Sequence, residues 1–158
     1  MNGQDFYDLA KRNHACTWGL YFLHRAAVNR GKTLKQVEAS VLFDAMLLST
    51  ARKPNEMDNT ICGGGYLRWT FVNLLDWTHR HPYGPHPTIR AILRDAGCTC
   101  GKAAINDTIS WGAYSIWNHL SVSDCCKSRY TRKFRNPDHT RQFYALSVIH
   151  AALCRAFS

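Results

Sequence analysis

Apolar residues in this chain recur three and four positions apart, and nowhere do they settle into a sustained alternation. That spacing restricts the fold to packed helices, because a half-buried strand needs a period of two. Within residues 14–30, Leu20, Leu23, Ala27 and Val28 share one helical face, and Gly31 is placed to close the helix with a left-handed residue. Thr33-Leu34-Lys35-Gln36 carries the capping-box pattern, and Leu34, Val37, Val41, Phe43, Leu47 and Leu48 extend the stripe to about Ser49. Residues 51–65, rich in Pro, Asn, Asp and Gly, form the longest expected loop; its Gly63-Gly64-Gly65 lacks the lysine and hydroxyl residue of a phosphate-binding loop.

A third helix is expected from Tyr66 to Arg80 on Leu67, Phe71, Leu74 and Leu75. His81-Pro82-Tyr83-Gly84-Pro85-His86-Pro87 stops it, since the prolines remove backbone donors and fix φ. Thr88 caps a short helix over Ile89–Ala96, ended by Gly97, and Cys98-Thr99-Cys100-Gly101 follows as a turn. Asn106 or Asp107 opens the next helix through Trp111, Tyr114, Ile116 and Trp117. Ser121 or Ser123 then caps a basic helix to about Phe134, and a last helix runs from about His139 to Phe157. The expectation is an all-α fold of six to eight helices in one compact domain, residues 1–158, with a short flexible N-terminus at 1–5.

Of the 158 residues, 46% are hydrophobic and 20% charged, a balance that excludes a disordered chain and supplies a core. No apolar run approaches the ~18 residues of a membrane span, and Asp44 interrupts the patch Val41–Leu48. The first residues lack the basic stretch and apolar segment of a secretory signal, so a cytosolic or nuclear protein is expected, with no membrane partner. Seven cysteines, an odd number, fit a disulfide framework poorly in such a setting. Together with eight histidines they leave two uses for the thiols: small buried hydrophobes, or metal ligands.

Zinc takes four ligands in a tetrahedron, and residues paired on a turn or one helical turn apart can share an ion. Cys98 and Cys100 form a loop pair flanked by glycines; His119 and Cys125 or Cys126 bracket a helix junction; His150 and Cys154 are four apart on one helix face. Cys16 and His24 are eight apart, about 12 Å along a straight helix, too far for one ion unless the helix breaks at Gly19. The economical set is Cys98, Cys100, His119 and Cys125 or Cys126, although a straight helix of ~14 residues would hold its ends ~20 Å apart. An alternative recruits His150 and Cys154 to His119 and Cys125. The histidines of the His79–His86 region offer a third chemistry, a metal-dependent nuclease. That chemistry needs neighbouring carboxylates; Asp76 and Asp95 are available but nothing fixes them nearby, and no hydrolytic motif is present. The chain is therefore expected not to be an enzyme.

The net charge is +9, and its placement points to partners. Lys127, Arg129, Arg132, Lys133, Arg135 and Arg141 stand against one acid, Asp138, between residues 127 and 141. On a helix the cations fall three to four apart, with Tyr130 and Phe134 on one stripe, an arrangement suited to phosphates, with aromatics that stack on bases or anchor the helix. The same run fits a nuclear localisation signal. A structural protein–protein adaptor with reduced core cysteines is the remaining alternative.

Three stretches resemble the small accessory non-structural protein of bocaparvoviruses and related parvoviruses. They are Cys16-Thr17-Trp18-Gly19-Leu20-Tyr21-Phe22-Leu23-His24-Arg25; Trp69 with Leu74-Leu75; and Trp117-Asn118-His119 followed by Ser123-Asp124-Cys125-Cys126 and Tyr130. Their order and approximate separations agree over residues 16–134. The chain departs from the pattern in lacking an Arg/Ser-rich N-terminal tail, in adding Cys98 and Cys100, and in its Cys16–His24 and Cys125–Cys126 spacings. The resemblance implies an accessory protein of the host nucleus that supports viral genome replication and viral RNA processing, with nucleic acid or host RNA-processing proteins as partners. It implies Cys16, His24, His119 and Cys125 as zinc ligands, a set that shares His119 and Cys125 with the economical one.

Overall fold

A computed structural model describes residues 1–54, 70, 93–94, 97–100, 118–121 and 132–158 of the chain. Among them the protein is helical, without a β-strand. Helix α1 spans Gly3–Arg12, α2 Thr17–Val28, α3 Ala39–Arg52 and α4 Pro137–Ala156, with a 3₁₀ turn at Leu34–Gln36. Thr70, Leu93, Arg94 and residues 118–121 are also helical. The expected helix 66–80 beyond Thr70, the His79–His86 segment and most of the helix from Asn106 or Asp107 lie outside the described residues.

The N-terminal residues, expected to be a short flexible end, lead directly into α1. Asn2 caps α1 by accepting the Asp5 amide N–H at 2.9 Å, Asp5 sits in the first turn, and Lys11 and Arg12 occupy the last. Phe6 and Ala10, four apart, turn inward. The helix closes in a Schellman motif: Ala15 N–H donates to Ala10 O at 3.0 Å, and His14 N–H to Lys11 O at 3.2 Å. The left-handed position falls on His14, with φ +63°. The same pattern ends α2 at Gly31, where Lys32 N–H reaches Ala27 O at 3.2 Å and Gly31 N–H reaches Val28 O at 2.8 Å.

The single helix expected from Thr33 to Ser49 is broken in two. Gln36 Oε1 does accept the Thr33 amide N–H at 2.9 Å, but the turn it closes stops at once. Val37 and Glu38 are extended because the N-terminus pairs with them: Gly3 N–H donates to Val37 O at 2.7 Å and Ala39 N–H to Met1 O at 3.0 Å, around an antiparallel Asn2–Glu38 bridge. The approach is close enough to exclude a side chain at Gly3. A Cβ there would lie 2.8 Å from both Leu34 O and Val37 Cγ2. Helix α3 then runs three residues past Ser49, so residues 51–52 are helix and not loop.

Among the described residues the core is built chiefly where α3 packs on α4. Leu42, Phe43, Leu146, Ile149 and Leu153 are fully buried there. Phe6, Phe43 and Phe157 form an aromatic trio with centroids 4.9 to 5.7 Å apart, in edge-on or tilted contacts. Helix α4 begins earlier than the expected His139. Asn136 accepts the Asp138 amide N–H at 2.9 Å and Pro137 takes the first helical position, where its missing donor costs nothing. Leu93 and Leu120, both inaccessible to solvent, belong to the same core and carry the cysteine and histidine ligand candidates beside them.

Candidate metal centre

Two short pieces of backbone set this site. Leu93, buried, anchors the end of a helix that closes at Gly97 (φ +70°) in a third Schellman motif, with Cys98 N–H to Leu93 O at 3.0 Å and Gly97 N–H to Arg94 O at 2.9 Å. The cap leads into Cys98, Thr99 and Cys100, which have no regular structure, with Cys98 packed against the core. His119 lies in the helical residues 118–121, held by the buried Leu120 next to it.

The two pieces meet at one atom. Cys98 Sγ lies 3.1 Å and Cys100 Sγ 3.7 Å from His119 Nε2, and all three residues are half-buried. Zn–S bonds of about 2.3 Å and a Zn–N bond of about 2.0–2.1 Å at a tetrahedral angle place sulfur and nitrogen about 3.5 Å apart. The two observed distances bracket that value. Burial lowers the pKa of His119 by penalising its charged form, which favours the neutral imidazole that a metal requires. Cys98, Cys100 and His119 thus lie close enough to coordinate a metal ion. The objection that a straight helix of ~14 residues would hold such ligands ~20 Å apart does not hold for Cys98, Cys100 and His119, which lie together.

A second group joins α3 to α4. Asp44 Oδ1 is 2.6 Å and Cys154 Sγ 3.6 Å from His150 Nε2, close enough for these three side chains also to hold an ion. The Asp–His separation is that of a direct hydrogen bond; two ligands of one zinc would stand about 3.4 Å apart. A carboxylate only accepts, so Nε2–H donates to Asp44, tying the two core helices at their rim. Burial, then the Asp44 charge, push the Cys154 thiol upward, opposed by Arg155. His150 accordingly partners Asp44, and the Cys154 sulfur rests against the same imidazole nitrogen.

Cys16 and His24 stand apart from both groups. Cys16 is exposed and caps α2, its sulfur accepting the Gly19 amide N–H at 3.4 Å; His24 lies exposed on the same helix. Neither belongs to a three-residue ligand group among the described residues. Cys125, Cys126, Lys127, Arg129 and Tyr130 lie outside the described residues. The end of the basic stretch is described, and it is not helical: Arg132, Arg135 and Asn136 lie in bends and Lys133 and Phe134 have no regular structure before α4. Thr140 explains why, since its hydroxyl accepts the Phe134 amide N–H at 2.8 Å and ties this segment back to α4. Phe134 packs edge-on against Phe143 at 5.3 Å, and the Arg132 guanidinium covers both rings, 5.2 and 5.7 Å from their centroids. Phe134 therefore anchors, while Arg132, Lys133 and Arg135 remain exposed.

The class of molecule so defined is a helical domain with a Cys/Cys/His group set against its core. Comparison with protein-family models, curated proteins and solved structures finds no match to this chain.

Proposed function

We propose that the chain is a non-enzymatic nucleic-acid-binding accessory protein whose fold is stapled by a structural zinc. The observation that carries the reading is the convergence of Cys98 and Cys100 on one nitrogen of His119. Two thiolates and an imidazole are three of the four ligands of a closed structural site, and Cys125 or Cys126, six or seven residues beyond His119, supplies the fourth. The zinc joins a helix end near Leu93 to the helix bearing Leu120, two elements widely separated in sequence. It also fixes the start of the basic segment Lys127–Arg135, whose cations then face phosphates of nucleic acid. In the setting that the sequence resemblance implies, this binding serves viral genome replication and viral RNA processing in the host nucleus, alone or with host RNA-processing proteins.

Zinc quantification on carefully purified protein, beside His119→Ala and Cys125→Ala, tests the metal. One equivalent is expected in the wild type and a substoichiometric content in His119→Ala; a metal-free wild type refutes the staple. Charge reversal at Arg129, Arg132 and Arg135 tests the basic segment, with weaker nucleic-acid binding and a flatter salt dependence expected.

A further inference from the structure

Helices α2 and α3 enclose a groove that none of the preceding chemistry uses. Its α2 wall is Phe22, Arg25 and Ala26, one helical stripe, continued past the helix end by Asn29 and Arg30, and its α3 wall is Ala45, Leu48, Ser49 and Arg52, another, continued by Lys53. The volume is about 360 Å³, within the range of small-ligand clefts. Phe22, Ala26, Ala45 and Leu48 give it an apolar floor, and Leu48 is 46% exposed, unusual for a leucine in mid-helix. Four cations border it, all on exposed residues, and no aspartate or glutamate lines it. Arg30 donates to Ala26 O at 3.0 Å, which holds its guanidinium along the groove wall.

The stripe continues beyond the groove onto aromatic residues. Trp18 lies one turn before Phe22 on the same face, and Tyr21 one turn before Arg25. They are 70% and 55% exposed and contact each other edge-on at 6.4 Å. A large indole left in water beside a row of arginines is costly unless something covers it. Cations for a phosphate chain and exposed rings for unstacked bases are the two components of a single-strand binding surface. A duplex satisfies only the first, because its bases are already stacked.

We propose that the α2–α3 groove binds single-stranded nucleic acid, with Arg25, Arg30, Arg52 and Lys53 on the phosphates and Trp18 and Tyr21 stacking on adjacent bases. This surface requires neither the metal nor the segment 127–135.

The test is fluorescence anisotropy of the full chain with labelled twelve-residue oligo(dT) and oligo(U) and a duplex of the same length, across a KCl series. Arg25→Gln/Arg52→Gln should weaken single-strand binding and flatten the slope of log K against log salt by about 1.4, at ~0.7 per lost phosphate contact. Trp18→Ala should weaken binding about tenfold, within the range for one stacked base, and Trp18→Phe should restore it. These positions are exposed, and unchanged far-ultraviolet circular dichroism verifies the fold. Loss in the groove variants with wild-type-like binding after reversal of Arg129, Arg132 and Arg135 supports the groove and refutes the basic segment. Unchanged affinity and slope in Arg25→Gln/Arg52→Gln overturns the proposal, as does an equal or stronger preference for the duplex. Binding of anionic phosphatidylserine vesicles through these arginines, with no oligonucleotide binding, overturns it as well.

Discussion

Replacing Gly3 by alanine isolates the contact that breaks the expected helix 33–49 and docks the N-terminus. The new methyl would sit 2.8 Å from Leu34 O and from Val37 Cγ2, about 0.6 Å inside the 3.4 Å where ordinary contact begins, and 3.3 Å from Leu42 Cδ1. The valine methyl can rotate away. The carbonyl cannot, because the bonds from Gly3 to Val37 and from Ala39 to Met1 hold its turn against α1. Overpacking of this kind costs roughly 1–3 kcal/mol. Alanine's better helix propensity offsets at most a few tenths at a first-turn position. A net loss of about 1–3 kcal/mol lowers Tm by roughly 3–10 °C for a chain of this size. Urea denaturation followed at 222 nm should show a lower midpoint at an unchanged slope. Gly31→Ala is the control, since nothing lies within 4 Å of a Cβ there and only its φ of +64° penalises the change. A Gly3→Ala midpoint equal to or above wild type would refute the close-approach argument.

Three other outcomes follow from the same geometry. His14→Gly should raise stability by about 0.5 kcal/mol, the left-handed penalty at φ +63° less the entropy cost of glycine, measurable as a shift in urea midpoint. A chelator should lower the Tm of zinc-loaded wild type and leave His119→Ala unmoved; at a free zinc level of 100 times Kd the bound ion contributes about 2.7 kcal/mol. Cys154, its pKa raised by burial and Asp44, should react with iodoacetamide more slowly than the exposed Cys16 at pH 7.5, as read by peptide mass mapping. Because its folded pKa lies above the ordinary thiol value, its contribution to stability is complete below that value and is lost as pH rises through the folded one. Cys154→Ala should therefore lose less stability than wild type as the pH rises above about 9.

The features legible in the sequence were those with local causes. Gly31 and Gly97 mark helix ends because a left-handed residue is needed there whatever surrounds it, and both adopt positive φ. The pairing of Cys98 and Cys100 with His119 was legible as a set of zinc-preferring residues, while the distance argument against it assumed a straight connection. Two elements were missed for one reason. Helix α1 is short, and the break at Val37–Glu38 sits inside an unbroken helical stripe; each depends on the other through hydrogen bonds spanning more than thirty residues. The α2–α3 groove was likewise invisible, although Arg25, Arg30 and Arg52 are plain in the sequence, because only packing brings the ends of two helices side by side.

The aromatic trio has a consequence for how this protein is made. Phe43 and Phe157 are in ring contact but 114 residues apart, so at a translation rate of ~5–20 residues per second the first waits about 6–23 s for the second. During that interval α3 has emerged from the ribosome with Leu42, Phe43 and Met46 on a face that Phe6 of α1 covers in part and that stays partly open until α4 packs on it. A nascent chain carrying such an uncovered face is a client for chaperones until its final helix is synthesised.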